Sequence, residues 1–208
     1  MKKLILVLTG FSLAVSIIAS AQTLPTSLPD FSADVHMVNK GQTFSQGKIY
    51  MSQAGVRMDI STGGMAMTNI QRVDKGIMYM MMPNKTYMEQ PLPYNPMTHH
   101  EVPAGWTQNC SSGEAIDNHP TDKCILTGQL GGQNVSTAIW KAKDLNGVVI
   151  RVLGDSGPGQ GAGMELKNVV LATQPASLFE IPADYHKMEL PPAAAQMMKK
   201  MQEKVKQP

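Results

Sequence analysis

Hydrophobic and polar residues alternate along most of this chain, in short stretches separated by turn residues. In residues 31–38 every second side chain from Phe31 is apolar, while Ser32, Asp34 and His36 fall between them. A period of two is typical of strands that bury one face. About ten stretches are predicted as strands: residues 31–38, 48–52, 56–60, 65–73, 77–82, 86–89, 123–130, 134–143, 147–153 and 164–171.

Turn residues recur between these stretches roughly every 8 to 12 residues, which leaves no room for long helices. Examples are NKG at 39–41, DKG at 74–76 and the Asn146-Gly147 pair, which is typical of a tight hairpin. Strands joined as hairpins form an antiparallel sheet, and about ten of them make a sheet large enough to curl. Residues 77–82 are apolar on both sides, which predicts a mid-sheet strand covered on each face.

The remaining segments are predicted as connections, with one exception near the end. Residues 91–103 are proline-rich and are predicted as a loop or an edge segment. The glycine-rich residues 154–163 lack the Lys-Ser/Thr ending of a phosphate-binding loop and lie between two strands, so they are predicted as a hairpin loop. Residues 177–182 form a short final element. Residues 193–206, in a C-terminal tail at 191–208, are predicted as an amphipathic helix with methionines and Val205 beside a lysine-rich surface.

Residues 1–21 are predicted to be a cleavable export signal. Lys2 and Lys3 precede an apolar run, and Ala19-Ser20-Ala21 supplies small residues for cleavage. The mature chain is then expected to begin at Gln22 and to reside in the periplasm. Residues 22–30 are a lead-in, and residues 31–190 are expected to form one β domain.

Charge and hydropathy exclude two classes of partner for the mature chain. Without Lys2 and Lys3, the 18 basic residues fall to 16, which equals the number of acidic residues. A neutral chain gives no electrostatic case for nucleic-acid binding. No segment after the signal approaches the roughly 20 apolar residues of a transmembrane helix, so none is predicted.

The two cysteines, Cys110 and Cys124, are predicted to form a structural disulfide, because an exported chain meets an oxidising compartment. Their spacing matches neither a redox pair nor a zinc site. The adjacent His99 and His100 form the one local histidine cluster, without the spacing of a metal motif. We therefore predict no metal site, no cofactor and no catalytic residue, since no recognisable nucleophile context is present.

The methionines carry the most unusual chemistry in the sequence. The chain contains 17 of them, and Met65, Met67, Met78, Met80 and Met82 recur at every second position within two stretches. Methionine is flexible and polarizable, and fills irregular apolar space. Three interpretations stay open: ordinary core filling, an adaptable wall for an apolar ligand, or thioether binding of Cu(I).

Several stretches resemble the periplasmic lipoprotein-carrier superfamily, which includes LolA, LppX and LprG. They are GKIYMSQAGVRMDI at 47–60, the DKG turn, IMYMMMPNKTYMEQ at 77–90, IWKAKDLNGVVIRV at 139–152, and an ending of the type F-x-x-P-x-x-Y at 179–185. The resemblance covers roughly residues 31–188, and points to an uncharacterised, methionine-rich branch of exported members.

The resemblance implies a strongly curved antiparallel sheet, an unclosed half-barrel whose concave face holds acyl chains under helical caps. Arg57 matches an arginine that helps to hold the lid closed in LolA, so it is a candidate for a lid contact. Two departures are evident: Gln53-Ala54-Gly55 replaces the usual tryptophan and proline, and the C-terminal helix is the one candidate lid.

We therefore expect non-catalytic binding of an apolar ligand, a lipid or the acyl chain of a lipoprotein, with an envelope protein as a possible further partner. One alternative is copper handling or envelope stress sensing by methionine and histidine, and another is a structural envelope protein without a ligand. The positions expected to line the ligand site are Val56, Met58, Ile60, Met65, Met67, Met78, Met80 and Met82.

Overall fold

The computed structural model describes residues 29–92, 97, 102–130, 132–157 and 159–188. Two short 3-10 turns, Val73–Lys75 and Ala176–Phe179, interrupt an otherwise β structure. The strands are β1 Phe31–Asn39, β2 Gln42–Ser52, β3 Gly55–Thr62, β4 Met65–Arg72, β5 Ile77–Met81, β6 Thr86–Pro91, β7 Thr107–Ser112, β8 Thr121–Leu130, β9 Gln133–Ala142, β10 Val149–Ser156, β11 Ala162–Leu171 and β12 His186–Lys187.

All twelve strands belong to one sheet, in the order β12-β6-β5-β4-β3-β2-β1-β11-β10-β9-β8-β7. β1 lies in the middle of the sheet. The strands then follow one another outward to β6, and β7 lies at the opposite edge. The chain then returns inward to β11, which pairs with β1. Every pairing is antiparallel except that of β12 with β6. The sheet does not close on itself, which confirms the predicted mainly β, unclosed half-barrel fold.

The two faces of the sheet are distinguished by residue parity between β2 and β6. The cross-strand row Ile49, Met58, Asn69, Met80 and Met88 follows from the pairings of β2 with β3, β3 with β4, β4 with β5, and β5 with β6. We call the side that carries this row the methionine face. Successive strand residues point to opposite sides, so the neighbouring row lies on the other face.

The neighbouring row consists of Tyr50, Arg57, Ile70, Tyr79 and Glu89. We call this side the strap face, because the chain after β11 crosses it. This segment, residues 172–188, is named the strap. It leaves β11, crosses to β3 and β4 through the turn Ala176–Phe179, and ends as β12 beside β6.

Each half of the sheet has its own hydrophobic cluster. The larger cluster spans β1, β2, β3 and β8 to β11, and its fully buried members include Phe31, Val35, Ile49 and Leu166. The smaller cluster lies on the strap face, where Phe179 of the strap packs with Ile70 and Met81 and is 1% exposed. Tyrosines surround it, including Tyr79 and Tyr87, whose rings meet edge to face at 5.7 Å.

Glycines permit close approaches at several points of the sheet, including Gly47 and Gly128. A Cβ at Gly47 would collide with the backbone carbonyl of Asp59, so β2 and β3 approach each other here as only glycine allows. A Cβ at Gly128 would enter the ring of Trp106, which therefore lies flat over β8. Both glycines sit inside strands, where sequence patterns alone do not explain them.

Several strand features differ from the sequence prediction. β2 begins at Gln42 instead of residue 48, and the loop predicted at 154–163 is shortened because β10 reaches Ser156 and β11 starts at Ala162. β7 and β12 were not predicted. β5 pairs with β4 and β6 but lies third from one edge of the sheet, not in its middle. Phe179 covers the side of β5 that belongs to the strap face.

Some predicted segments lie outside the described residues. These are the export signal at 1–21, most of the lead-in at 22–30, and the C-terminal helix at 193–206. Within the part of the chain that the structure describes, no helix has the length and hydropathy needed to cross a membrane.

The predicted disulfide is present, and it links two neighbouring strands. Cys110 of β7 and Cys124 of β8 are direct cross-strand partners, and their sulfur atoms are bonded. β7 is an edge strand made of polar residues, so little apolar burial holds it in place. The disulfide therefore fastens the edge of the sheet.

Replacing both cysteines by serine should lower the free energy of unfolding by about 3 kcal/mol, because the bond closes a loop of 14 residues' separation in the unfolded chain. Urea unfolding at pH 7 measures this. The control is native protein unfolded in urea in the presence of a reducing agent, and its free energy of unfolding should match that of the variant. An unchanged unfolding midpoint in the variant would contradict a stabilising role.

Candidate functional site

The structure places the predicted lining positions on one face of the sheet. Val56, Met58 and Ile60 alternate along β3, and Ile60 pairs with Met67 of β4. Met65 pairs with Thr62, two residues beyond Ile60, and so has the same parity. On β5, Met78 and Met80 pair with Gln71 and Asn69, the partners of Val56 and Met58. Met82 comes directly after β5, two residues beyond Met80.

Exposure of these side chains rises from the centre of the sheet toward the β3–β4 hairpin. Val56 is 1% exposed and Met78 is 8% exposed. Met67 and Met65, close to the hairpin, are 39% and 69% exposed. The apolar surface of the methionine face therefore begins inside the larger cluster and continues into solvent, with no described residue covering its outer end.

Asn69 is a polar residue at the centre of this apolar row. Its Nδ2 donates to the sulfur of Met78 at 3.0 Å. Its Oδ1 is buried and accepts no hydrogen bond within the described structure. An unsatisfied buried acceptor costs about 1–3 kcal/mol, so Asn69 places one unfavourable polar atom within the apolar row. Asn69 and Gln71 are amides at alternate positions on this otherwise apolar face, and the sequence prediction included neither of them.

Arg57 lies on the strap face, opposite to Val56 and Met58. Its Nε donates to both oxygens of Asp59 at 3.0 and 2.9 Å, and its Nη1 donates to the carbonyl oxygen of Leu178 in the strap at 3.2 Å. Asp59 also accepts from the hydroxyl of Thr68 at 2.6 Å. Among the described residues, Arg57 thus bonds to Asp59 of its own strand and to the strap.

Arg72 holds the next part of the strap. Its side chain is 8% exposed, and it pairs with Asp74 at 2.7 Å and with Glu180 at 2.6 Å. Its Nη1 also donates to the carbonyl oxygen of Phe179 at 3.4 Å. The hydrogen bonds from Arg72 hold the pKa of Asp74 below its usual range, and those carboxylates raise the pKa of Arg72 further. No local sequence pattern indicates this role of Arg72, because its partners in the strap are distant along the chain.

Metal-binding chemistry of the histidine and cysteine type is not assembled in the part of the chain described here. No group of three or more His, Cys, Asp or Glu side chains there is arranged to hold a metal ion. His119 lies 2.9 Å from Asp144 and so has a carboxylate partner. His99 and His100 lie outside the described residues.

Comparisons with known proteins concern the fold. No protein-family model matches the chain, and no curated protein matches it. A chain of the Pseudomonas aeruginosa MucA/MucB complex is similar with a TM-score of 0.50 and 12% identity over 78% of this chain. The match spans 62% of that chain, less than two thirds of its length. Mycobacterium tuberculosis lipoprotein LppX has a TM-score of 0.39 and 13% identity, over 67% of this chain and 84% of LppX.

The likeness to the MucA/MucB chain, at 12% identity, shows the fold alone. It agrees with the LolA-like fold that the sequence resemblance implied. Membership of a methionine-rich, exported branch stays a prediction.

Replacing Arg72 by methionine should lower the free energy of unfolding by about 1–3 kcal/mol at pH 7, because the strap loses charged hydrogen bonds. The folded-state pKa of Asp74 is depressed, so its contribution is present above the unfolded pKa and is lost as the pH falls. The difference between native and variant should therefore shrink below about pH 4. Urea unfolding at several pH values measures both effects.

The control is Lys187→Met, which removes a largely exposed pair with Glu89 and should change stability by less than about 1 kcal/mol. A difference between native protein and the Arg72 variant that stays constant from pH 7 to pH 3 would contradict the assigned role of Asp74.

Proposed function

We propose that this protein binds the acyl chain of a lipid or lipoprotein on the methionine face, outside the cytoplasm and without catalysis. The observation that carries the proposal is the shared face of the predicted lining residues, of which Met65 and Met67 leave apolar surface exposed. Soluble proteins usually cover contiguous apolar surface, and a patch left open suggests a binding site.

The chemistry of methionine suits acyl chains of varied shape. Its unbranched side chain changes rotamer readily, so a row such as Met58, Met80 and Met88 can adapt to a flexible ligand. Each methylene group moved out of water contributes about 0.8 kcal/mol. Binding should therefore strengthen with chain length until the chain outgrows the methionine face.

The disulfide supports an extracytoplasmic location, because such bonds persist in oxidising compartments. The similar MucA/MucB chain comes from a complex of two proteins. That likeness supports an envelope protein as a further partner of this chain. Periplasmic delivery by the signal at 1–21 belongs to the same proposal.

A second candidate function is Cu(I) binding by thioethers. Met80 of β5 and Met88 of β6 are direct cross-strand partners, and Met58 lies in the same row. Soft sulfur ligands favour Cu(I), and three of them on one face could hold an ion.

Native mass spectrometry of protein purified from its own host separates these functions. A co-purifying lipid mass supports the acyl-chain proposal, and a copper adduct supports the second candidate. A bare protein mass that stays bare after incubation with fatty acids would favour a structural protein and overturn the acyl-chain proposal.

The variant Met67→Glu should weaken binding of a fluorescent fatty acid at least about tenfold, because a carboxylate on the methionine face opposes burial against an acyl chain. Met67 is 39% exposed, so the variant should fold normally. Displacement titrations measure the change.

The matched control is Val170→Glu, which places the same charge on a 56% exposed apolar residue. Val170 pairs with Ser32, whose parity puts it on the face opposite to Phe31 and Ala33. The affinity of Val170→Glu for the fluorescent fatty acid should equal that of the native protein. Equal weakening in both variants would refute the assignment of the ligand to the methionine face.

A further inference from the structure

Lys141 projects from the same side of the sheet as the methionines. On β9 it follows Ile139 by two residues, in a strand that pairs with β8 without a bulge. Ile139 pairs with Val152 of β10, Val152 with Met164 of β11, and Met164 with Met37 of β1. Met37 has the parity of the buried β1 residues and packs on the larger cluster. Lys141 is therefore a cation on the methionine face.

Lys141 lies between buried apolar neighbours and a charged pair. Val149, its direct partner on β10, is 4% exposed, and Ile139 is 2% exposed. Its partner on β8 is Asp122, whose carboxylate pairs instead with Lys143 at 2.8 Å. Within the described structure, the ammonium of Lys141 makes neither a hydrogen bond nor an ion pair.

The physical consequence is a partly desolvated cation without a bonded anion. Burial lowers the pKa of Lys141, and the nearby charge of Asp122 opposes this only in part. Removing an ammonium from water without a partner is unfavourable, and an anion placed beside it would recover that free energy.

Other lysines of the described residues differ in this respect. Many pair with carboxylates or stack on an aromatic ring, and are largely exposed. Examples are Lys48 with Asp34, Lys85 with Asp184, Lys187 with Glu89, and Lys123 over the ring of Trp140. Lys141 combines partial burial, an apolar face and an unpaired ammonium.

We infer that Lys141 anchors the anionic head group, a carboxylate or a phosphate, of an amphiphile whose acyl chain lies on the methionine face. The inference rests on the proposed acyl-chain binding and specifies the chemical class of the ligand. Lys143 neutralises Asp122, so that carboxylate does not repel the incoming anion strongly.

Four ligands with the same twelve-carbon chain test this assignment: dodecanoate, dodecyl phosphate, dodecanol and dodecyltrimethylammonium. Native protein should bind at least one of the two anions about tenfold more tightly than dodecanol, the size of effect expected for a charged hydrogen bond. The cationic ligand should bind no better than dodecanol. Comparison of the two anions distinguishes a carboxylate source from a phosphate source.

Three variants complete the experiment in isothermal titration. Lys141→Met should remove the preference for the anion while leaving dodecanol affinity within about twofold, because the side chain keeps its apolar length. Lys141→Arg should restore the preference. Lys75→Met is the control: it removes one charge from an exposed turn and should behave like native protein.

Two results would overturn the assignment. One is native protein that binds dodecanol and both anions equally. The other is an anion preference that survives in Lys141→Met. If none of the four ligands binds native protein, the acyl-chain proposal fails as well. That outcome can be told apart from the other two, in which the ligands still bind and only the role of Lys141 is refuted.

Discussion

Residue parity across an unbroken register is the constraint on which the rest of the structure depends. From β2 to β6 the four strand pairings run without a bulge, so each residue's position in the strand decides its face. A slip of one residue would move Met58 and Met80 to the strap face and bring Arg57 onto the methionine face. Such a slip would bury a guanidinium among methionines, which specifies the register strongly.

The two faces are completed in different ways. The strap covers the strap face with Phe179, whose ring is buried. Replacing a buried phenylalanine by alanine typically lowers the free energy of unfolding by about 3–5 kcal/mol. Arg57 and Arg72 fix the strap by donating to the carbonyl oxygens of Leu178 and Phe179. The strap face is thus covered by a segment of the protein itself. The methionine face continues from the larger cluster into exposed side chains, which is why binding is assigned there.

Sequence patterns predicted the fold class, most strands and the face shared by the predicted lining residues, because alternation directly reports which side chains lie together. That these residues line a ligand site stays a prediction. They missed β7, since an edge strand held by a disulfide needs no apolar alternation, and the two-residue β12, which forms only because the strap delivers it to β6. The partners of Arg72 in the strap, Phe179 and Glu180, lie more than 100 residues away, beyond any local pattern. Lys141 was likewise not predicted as a binding residue. Its ammonium is unpaired because Asp122, its cross-strand partner, pairs with Lys143 instead, and sequence patterns do not show this.

The central claim is that one face of an open sheet receives an acyl chain while the other is closed by the strap. Nuclear magnetic resonance of protein labelled at the methionine methyl groups tests it most directly, with dodecanoate as the added ligand. Met81 points to the strap face and packs with Phe179, so it is a reporter within the same strand as Met80. The methyl resonances of Met58, Met67 and Met80 should shift on titration, while that of Met81 should stay in place. Equal shifts at Met80 and Met81, or no shift at any methionine up to saturating dodecanoate, would contradict it.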